Sequence, residues 1–437
     1  MRRLHRFGRA GFARAGFAIA SLGQLFAISA GAEEILETSL RGSDRTIQLP
    51  YAFWNETFGT AVGYVYAING FPQPQAGLVA SVMVGSTHSA MGFLMGQNIR
   101  PTSLERLFVD PIISEGYFDN VHAFIDGNPR FPDERAGSNT SDESNYVDGR
   151  GLDTFVRARF KYLLPIGNGR DRITPNFEFD NGLLVGGANG GDVFNPLESG
   201  LTFIEIQPFY RSQNVDNRNF DVHQSTNGVE LGVFYDNRDY PANPTVGESL
   251  RLRTARDWGE FNSTSSWTSV GAEMDHYISL GATERYRQRV LALNVWTSYS
   301  PTWNVQSDGT IENRPPAFSG ATLGGLWRMR AFPAQRFNDK AGIYYAAELR
   351  MIPSTNFFDK FPRLQERVGV EWVQFVGFVE VGRVAPKWDF ETLNTSMKWD
   401  VGVGLRAWAK GLVVRVDTAY SDEGFGVQMM VGQPFQF

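Results

Sequence analysis

Few side chains in this 437-residue sequence are placed to do covalent chemistry. It contains no cysteine, which excludes disulfides, thiolate metal sites and cysteine nucleophiles. Of the five histidines, His5 sits in the basic N-terminal stretch, and His88, His122, His223 and His276 are scattered through the rest. None falls in a nucleophile or metal-binding pattern: there is no Gly-x-Ser-x-Gly and no His-Glu-x-x-His, and Ser86-Thr87-His88 reads as a short turn. An enzyme is therefore not expected, nor a metal or cofactor. The acids Asp126, Asp133, Glu134, Asp142, Glu143 and Asp148 carry the oxygens calcium prefers, but without a binding-loop spacing they read as a solvated loop. What is left is charge in strand-like surroundings. Arg157, Arg159 and Lys161 alternate with apolar residues, and the segment YDNRDYPANPTVG, Tyr235 to Gly247, packs acids, an arginine, two prolines and a glycine into a few positions.

The elements that must position these charges are β-strands. In TFVRARFKYLLP, Val156, Ala158, Phe160, Tyr162 and Leu164 alternate with Arg157, Arg159 and Lys161. The same period recurs in TAVGYVYAI, with Val62, Tyr64, Tyr66 and Ile68 against Ala61, Gly63, Val65 and Ala67. IYYAAELRM sets Ile343, Tyr345, Ala347, Leu349 and Met351 against Tyr344, Ala346, Glu348 and Arg350. Near the end, WDVGVGLRAW and LVVRVDTAY set Trp399, Val401, Val403, Leu405, Val414 and Val416 against Asp400, Gly402, Gly404, Arg406, Arg415 and Asp417. One side is branched and aromatic; the other mixes glycine with charge, as in a barrel with lipid outside and a polar lumen.

The N-terminus reads as an export signal. Arg2, Arg3, Arg6, Arg9 and Arg14 precede an apolar stretch, Ala15 to Ala30, and Ala30-Gly31-Ala32 is a small-x-small cleavage site, so residues 1–32 are taken as a signal peptide. Without those arginines, 36 basic residues face 47 acidic ones, a net charge near −11, which argues against nucleic acid as a partner. The 34 Phe, 15 Tyr and 10 Trp come without a second long apolar run, so a membrane-embedded form must be a closed barrel.

Residues 33–50 are expected to be a short periplasmic segment and 51–437 a transmembrane antiparallel β-barrel. At about 24 residues per strand and connection this gives about 16 strands. The stretch from Phe177 to Ser225 admits two parities, and Ile112 to Gly151 is expected to be a long external loop. The last segment, FGVQMMVGQPFQF, keeps Phe425, Val427, Met429, Val431, Gln433, Phe435 and Phe437 in one register, and it resembles the C-terminal assembly signal of bacterial outer-membrane barrels. That implies Phe435 and Phe437 as the signal, and the barrel assembly machinery as partner for the chain's own insertion into outer-membrane lipid.

At YDNRDYPANPTVG the residues resemble a particular family. Tyr235, Asp236, Arg238, Asp239, Pro241, Pro244 and Gly247 match the pattern of a periplasmic hairpin turn in the BamA/TamA superfamily of Gram-negative outer-membrane proteins, also called the bacterial surface antigen family. This implies that the strand leaves the lipid at Tyr235, that the charges sit in periplasmic water, and that the prolines and Gly247 reverse the chain. A second match is GLWRMRAFPAQRF, Gly325 to Phe337: the family folds a late loop back into the lumen, with an Arg-Gly-aromatic tip paired to an acid of the inner wall. Here the tip is Met329, Arg330, Ala331 and Phe332, with Ala331 in place of glycine and strained if that position needs a positive φ. The implied acid is Glu380, in Phe378-Val379-Glu380-Val381-Gly382, with Asp400 a second inward candidate. VGVGLR and the closing GQPFQF are a third match. Unlike the assembly factors of the family, the sequence is read as barrel-only, without periplasmic polypeptide-transport (POTRA) domains.

The resemblance implies a role in outer-membrane protein or lipid assembly or translocation, with unfolded proteins as possible clients, at a weak seam between first and last strands. Gly59, Gly63 and Gly70 would weaken the first strand, or else simply relieve crowding. The alternative is a passive channel or solute transporter, in which Arg157, Arg159 and Lys161 form a basic eyelet.

Overall fold

The computed structural model describes residues 46–431, except 56, 192, 218–219, 361–368 and 410–411. The segment read as a signal peptide, most of the short segment after it, and Pro434, Phe435 and Phe437 lie outside the described residues. One antiparallel sheet of 16 strands dominates: β1 (Thr46–Asn55), β2 (Gly59–Asn69), β3 (Gly77–Gly85), β4 (Ala90–Gln97), β5 (Leu107–Ala123), β6 (Val147–Leu163), β7 (Leu201–Asn217) and β8 (Phe220–Asp236) form the first half. The second half is β9 (Gly247–Trp258), β10 (Ser266–Ser279), β11 (Tyr286–Tyr299), β12 (Ala341–Pro353), β13 (Val370–Ala385), β14 (Lys398–Ala409), β15 (Leu412–Ser421) and β16 (Gly424–Val431). Each strand pairs with its sequence neighbour, and among the described residues no ladder joins β16 back to β1. The sheet is a nearly closed barrel with a seam at that point.

The alternation read from sequence is the wall of this barrel. Val62, Tyr64 and Tyr66 of β2, Leu349 of β12, Phe375 and Val379 of β13, and Val401, Val403 and Leu405 of β14 are exposed on the outside. The opposite parity is buried inside, including Glu348, Arg350, Gln374, Glu380, Asp400, Arg406, Arg415 and Asp417. Apolar residues outside and charged residues inside reverse the distribution of a water-soluble protein, and suit a solvent of lipid.

Two expected boundaries move. The first strand of the sheet is Thr46–Asn55, so Gly59, Gly63 and Gly70 belong to β2 and its turns. Gly59 and Gly70 have φ of 62° and 67°, and a Cβ on Gly63 would stand 2.3 Å from the Tyr51 ring, so these glycines serve turns and close packing. The expected loop from Ile112 to Gly151 is shorter: β5 and β6 run 17 residues each and leave only 124–146 as connection. Ser114 is buried on the inward parity, whereas Glu115, Asn120, Asp148 and Arg150 are exposed, so a run that looks like loop composition belongs in part to two long strands. In the ambiguous stretch from Phe177 to Ser225, β7 occupies Leu201–Asn217 and a small ribbon pairs Glu178–Asp180 with Leu183–Gly186.

The antiparallel order fixes which connections share an end. Those of β5–β6 (124–146) and β11–β12 (300–340) lie at one mouth; those of β6–β7 (164–200), β8–β9 (237–246) and β12–β13 lie at the other.

Candidate functional site: a loop locked in the lumen

Within the long β11–β12 connection, Ala321–Leu323 pairs with Phe337–Asp339, and the turn between them enters the barrel. Its tip is held from five strands, β12 to β16. Arg330 is fully buried, with Nη1 2.8 Å from Glu348 Oε1 of β12 and 2.7 Å from Asp417 Oδ2 of β15, and Nε 3.2 Å from Glu380 Oε2 of β13. Its guanidinium lies 3.5 Å over the Phe378 ring centroid. The backbone is held too: Arg330 N donates to Glu380 Oε2 at 2.8 Å, Ala331 N to Asp400 Oδ2 at 3.1 Å, and Gln428 Nε2 of β16 donates to the Arg330 carbonyl at 3.0 Å. Tyr344 donates its hydroxyl proton to Glu380. Phe332 is buried against Phe337, ring centroids 5.1 Å apart.

Glu380 thus contacts Arg330 directly, whereas Asp400 receives the Ala331 amide. Sequence reading missed the other half of the arrangement. Glu348 accepts both oxygens' worth of contact from Arg406 Nη2 (2.9 Å each) and pairs with Arg350 Nε at 2.8 Å, while Arg415 Nη1 lies 3.3 Å from Asp417 and its Nη2 donates to the Leu326 carbonyl at 2.8 Å. Four arginines (330, 350, 406, 415) therefore interleave with four acids (348, 380, 400, 417), all buried. Buried charge on this scale is tolerated only when paired and hydrogen-bonded. The signal was present in the sequence as charges on the inward parity of IYYAAELRM, WDVGVGLRAW and LVVRVDTAY.

Inward glycines make the room. A Cβ on Gly404 would stand 2.2 Å from Asp417 Oδ1, one on Gly402 2.3 Å from the Phe378 ring, and one on Gly426 2.5 Å from the Arg330 carbonyl. This is the physical content of VGVGLR. The expected strain at Ala331 does not arise, because its φ is not positive; the left-handed residue is its neighbour Met329, with φ 60°.

The loop is also fastened above the tip. Arg336 binds Glu423 through Nε at 2.6 Å and donates to Ser141 Oγ (2.8 Å) and the Ser141 carbonyl (2.6 Å), and Arg135 pairs with Asp339 at 2.5 Å. The acid-rich 124–146 connection therefore caps the lumenal loop, with Asp126 bound to Arg314 at 2.8 Å and Glu134 accepting the Asp142 amide at 2.6 Å.

At the opposite mouth the 237–246 turn differs from expectation. Asp236, Arg238, Asp239 and Tyr235 are buried instead of lying in water or at a lipid interface. Arg238 is bidentate on Asp236 (2.7 and 3.0 Å), and Asp239 accepts the Tyr240 and Thr245 amides at 2.8 and 2.9 Å. Gly247 has φ 98°, and a Cβ there would stand 2.1 Å from the Asn237 carbonyl. The turn, with Pro241 and Pro244 inside it, is covered by the 164–200 connection. Tyr240 packs between Phe177 (4.7 Å), Phe179 (5.0 Å) and Trp408 (6.1 Å), and Trp372 donates to the Gly182 carbonyl at 2.9 Å. A single turn could not show this burial, because its cover comes from Phe177 and Phe179 of another, earlier connection.

A model of the Omp85 superfamily domain matches residues 191–435, more than half of the chain. The chain belongs to the Omp85 superfamily. It is an outer-membrane β-barrel of the Gram-negative type, and the resemblance of its motifs to the BamA/TamA group is borne out at the level of family. Solved structures with a similar fold include CdiB from Escherichia coli (12% identity, TM-score 0.54, 88% of this chain and 61% of that one) and CdiB from Acinetobacter baumannii (12%, 0.52, 90% and 60%). BamA from Haemophilus ducreyi lacking POTRA domains 1–3 also aligns, at 12% identity and TM-score 0.48 over 90% of this chain and 70% of that one. This Omp85 chain thus spans about three-fifths of the length of either CdiB. Among curated proteins, none matches the sequence.

Proposed function

We propose that this Omp85 barrel acts in the assembly or translocation of outer-membrane protein or lipid, using the seam between β1 and β16. The observation that carries the reading is the lumenal loop: its tip is locked to β12, β13 and β15 through Arg330 and to β16 through Gln428, so among the described residues the closing edge of the sheet leans on a plug and has no ladder to β1. In this reading Arg330 and Phe332 hold the plug, Glu380 and Asp400 receive it, and the 237–246 turn with Asp236, Arg238 and Asp239 faces the periplasm. The apolar outer belt meets outer-membrane lipid, and unfolded proteins are the clients.

The test is planar-bilayer conductance of the purified protein and of Arg330→Ala, followed by reconstitution with an unfolded barrel client and a protease-protection readout of its insertion. Small, unstable openings that grow in the variant, with client insertion by the wild type, support the proposal. Steady, large, ion-selective steps indifferent to Arg330, without client insertion, mean a passive channel and overturn it.

A further inference from the structure

On the side of the lumen away from the Arg330 cluster, between the inserted loop and the wall made by β6 to β11, lies a cavity of about 320 Å³. Arg157, Arg159, Arg211, Arg251, Arg253 and Arg328 line it, and among the described residues Glu230 is the one carboxylate in the lining. Asp153 pairs with Arg211 (2.6 Å), Glu205 with Arg251 (3.3 Å) and Glu273 with Arg328 (2.5 Å), and these three acids stand behind the lining; Glu230, within it, lies 3.8 Å from Arg253. Aromatic rings brace the guanidiniums flat, Phe318 under Arg211 at 4.5 Å, Phe234 under Arg251 at 4.4 Å and Trp296 under Arg328 at 4.4 Å. A guanidinium braced by a ring on its face is a rigid, permanently charged planar fork even while an acid holds one edge, a geometry suited to phosphate contacts.

We propose that this cavity is a binding site for a phosphate-bearing anion, either a soluble oligophosphate or the phosphorylated headgroup of a lipid. An excess of positive charge on low-dielectric walls concentrates anions, and rings of arginine select phosphate in pores. The volume is at the lower end of the roughly 300–1,000 Å³ of small-ligand sites. It fits a compact pyrophosphate-like group, with Trp267 and Trp327 of the lining offering flat surfaces to whatever the phosphate carries. Of the basic triplet visible in the sequence, Arg157 and Arg159 belong to this site, whereas Lys161 is held by Asp110 at 2.5 Å and does not line it. The inference goes beyond the assembly reading and does not depend on the seam.

Isothermal titration of the purified protein with inorganic pyrophosphate, at low ionic strength in a neutral detergent, tests it. Saturable binding of one equivalent is expected, weakened at least tenfold in Arg157→Gln/Arg253→Gln, the two half-exposed arginines, with heat-modifiable gel migration to confirm that the variant is folded. Glu230→Gln removes the one lining carboxylate and is expected to tighten binding severalfold, so the site stays testable if the double variant does not fold. Nanodiscs separate the sources: pyrophosphate binding retained in phosphatidylcholine and lost in phosphatidylglycerol assigns the site to a lipid headgroup, and binding equal in both assigns it to a soluble anion. No saturable binding in any of these media, or binding indifferent to Arg157, Arg253 and Glu230, overturns the proposal.

Discussion

The first four strands and the strands β12 to β15 are built on opposite principles. The early wall is short, 8 to 11 residues per strand, and its inward face is apolar: Val65, Ala67, Val79, Phe93 and Met95 pack with Ile112 and Phe155. The late wall carries Glu348, Glu380, Asp400, Asp417 and their arginines, tied to the loop tip. Apolar packing is non-directional, so the early inner face tolerates substitutions that keep its volume. A buried ion-pair network has one satisfactory geometry, and displacement leaves charges without partners. The two walls therefore differ in what holds their inner faces: a buried ion-pair network toward β16, and mainly apolar packing toward β1.

The strongest way to break this comparison is Arg330→Ala. It leaves Glu380 and Asp417 in the protein interior without their shared cation, and a loss of about 3–5 kcal/mol is expected, read as a lower denaturant midpoint for heat-modifiable gel migration. A variant as stable as wild type would mean the network does not hold the late wall. Next comes Met95→Ala on the early side, 1% exposed, expected to cost about 2–4 kcal/mol through its cavity yet to leave single-channel behaviour unchanged, because no contact with the loop tip is touched. Should its openings match those of Arg330→Ala, the walls would not be distinct. Gly426→Ala sharpens the contrast from the last strand: its Cβ, 2.5 Å from the Arg330 carbonyl and 2.9 Å from Ala331 Cα, forces the tip away, at about 1–3 kcal/mol, with noisier conductance as the checkable sign. Smallest is Arg150→Ala, whose pair with Asp119 at 3.2 Å is 65% and 37% exposed; a change under about 1 kcal/mol is expected, and a larger one would mean surface pairs stabilise this barrel comparably to lumenal ones.

How much of this was legible can be judged residue by residue. The parity of Glu348, Glu380 and Arg415 is visible in the alternation, since a period of two places every second side chain on one face. Which inward charges meet is not visible, because Arg330 and Asp417 are 87 residues apart and their contact depends on barrel curvature and on a loop that folds inward. The expected loop from Ile112 is too long for a related reason: composition cannot separate a polar loop from a long strand that carries exposed polar residues such as Glu115, Asp148 and Arg150. The turn at Asp236 was recognised by its residues, but its burial depends on Phe177 and Gly182, which arrive from another connection.

By itself the sequence determined the class of structure. Alternating apolar and small or charged residues, with no long apolar run after Ala30, leave a sheet with a lipid side and a polar side, and a sheet in lipid has to satisfy its backbone by curving round toward closure. Only the tertiary structure decided where the inward charges go: into a compensated knot around Arg330 on one wall, and around a basic cavity on the other. The physical reason is that burial and pairing are set by distances across the lumen, and strand periodicity fixes a side chain's face but not its neighbour on the far wall.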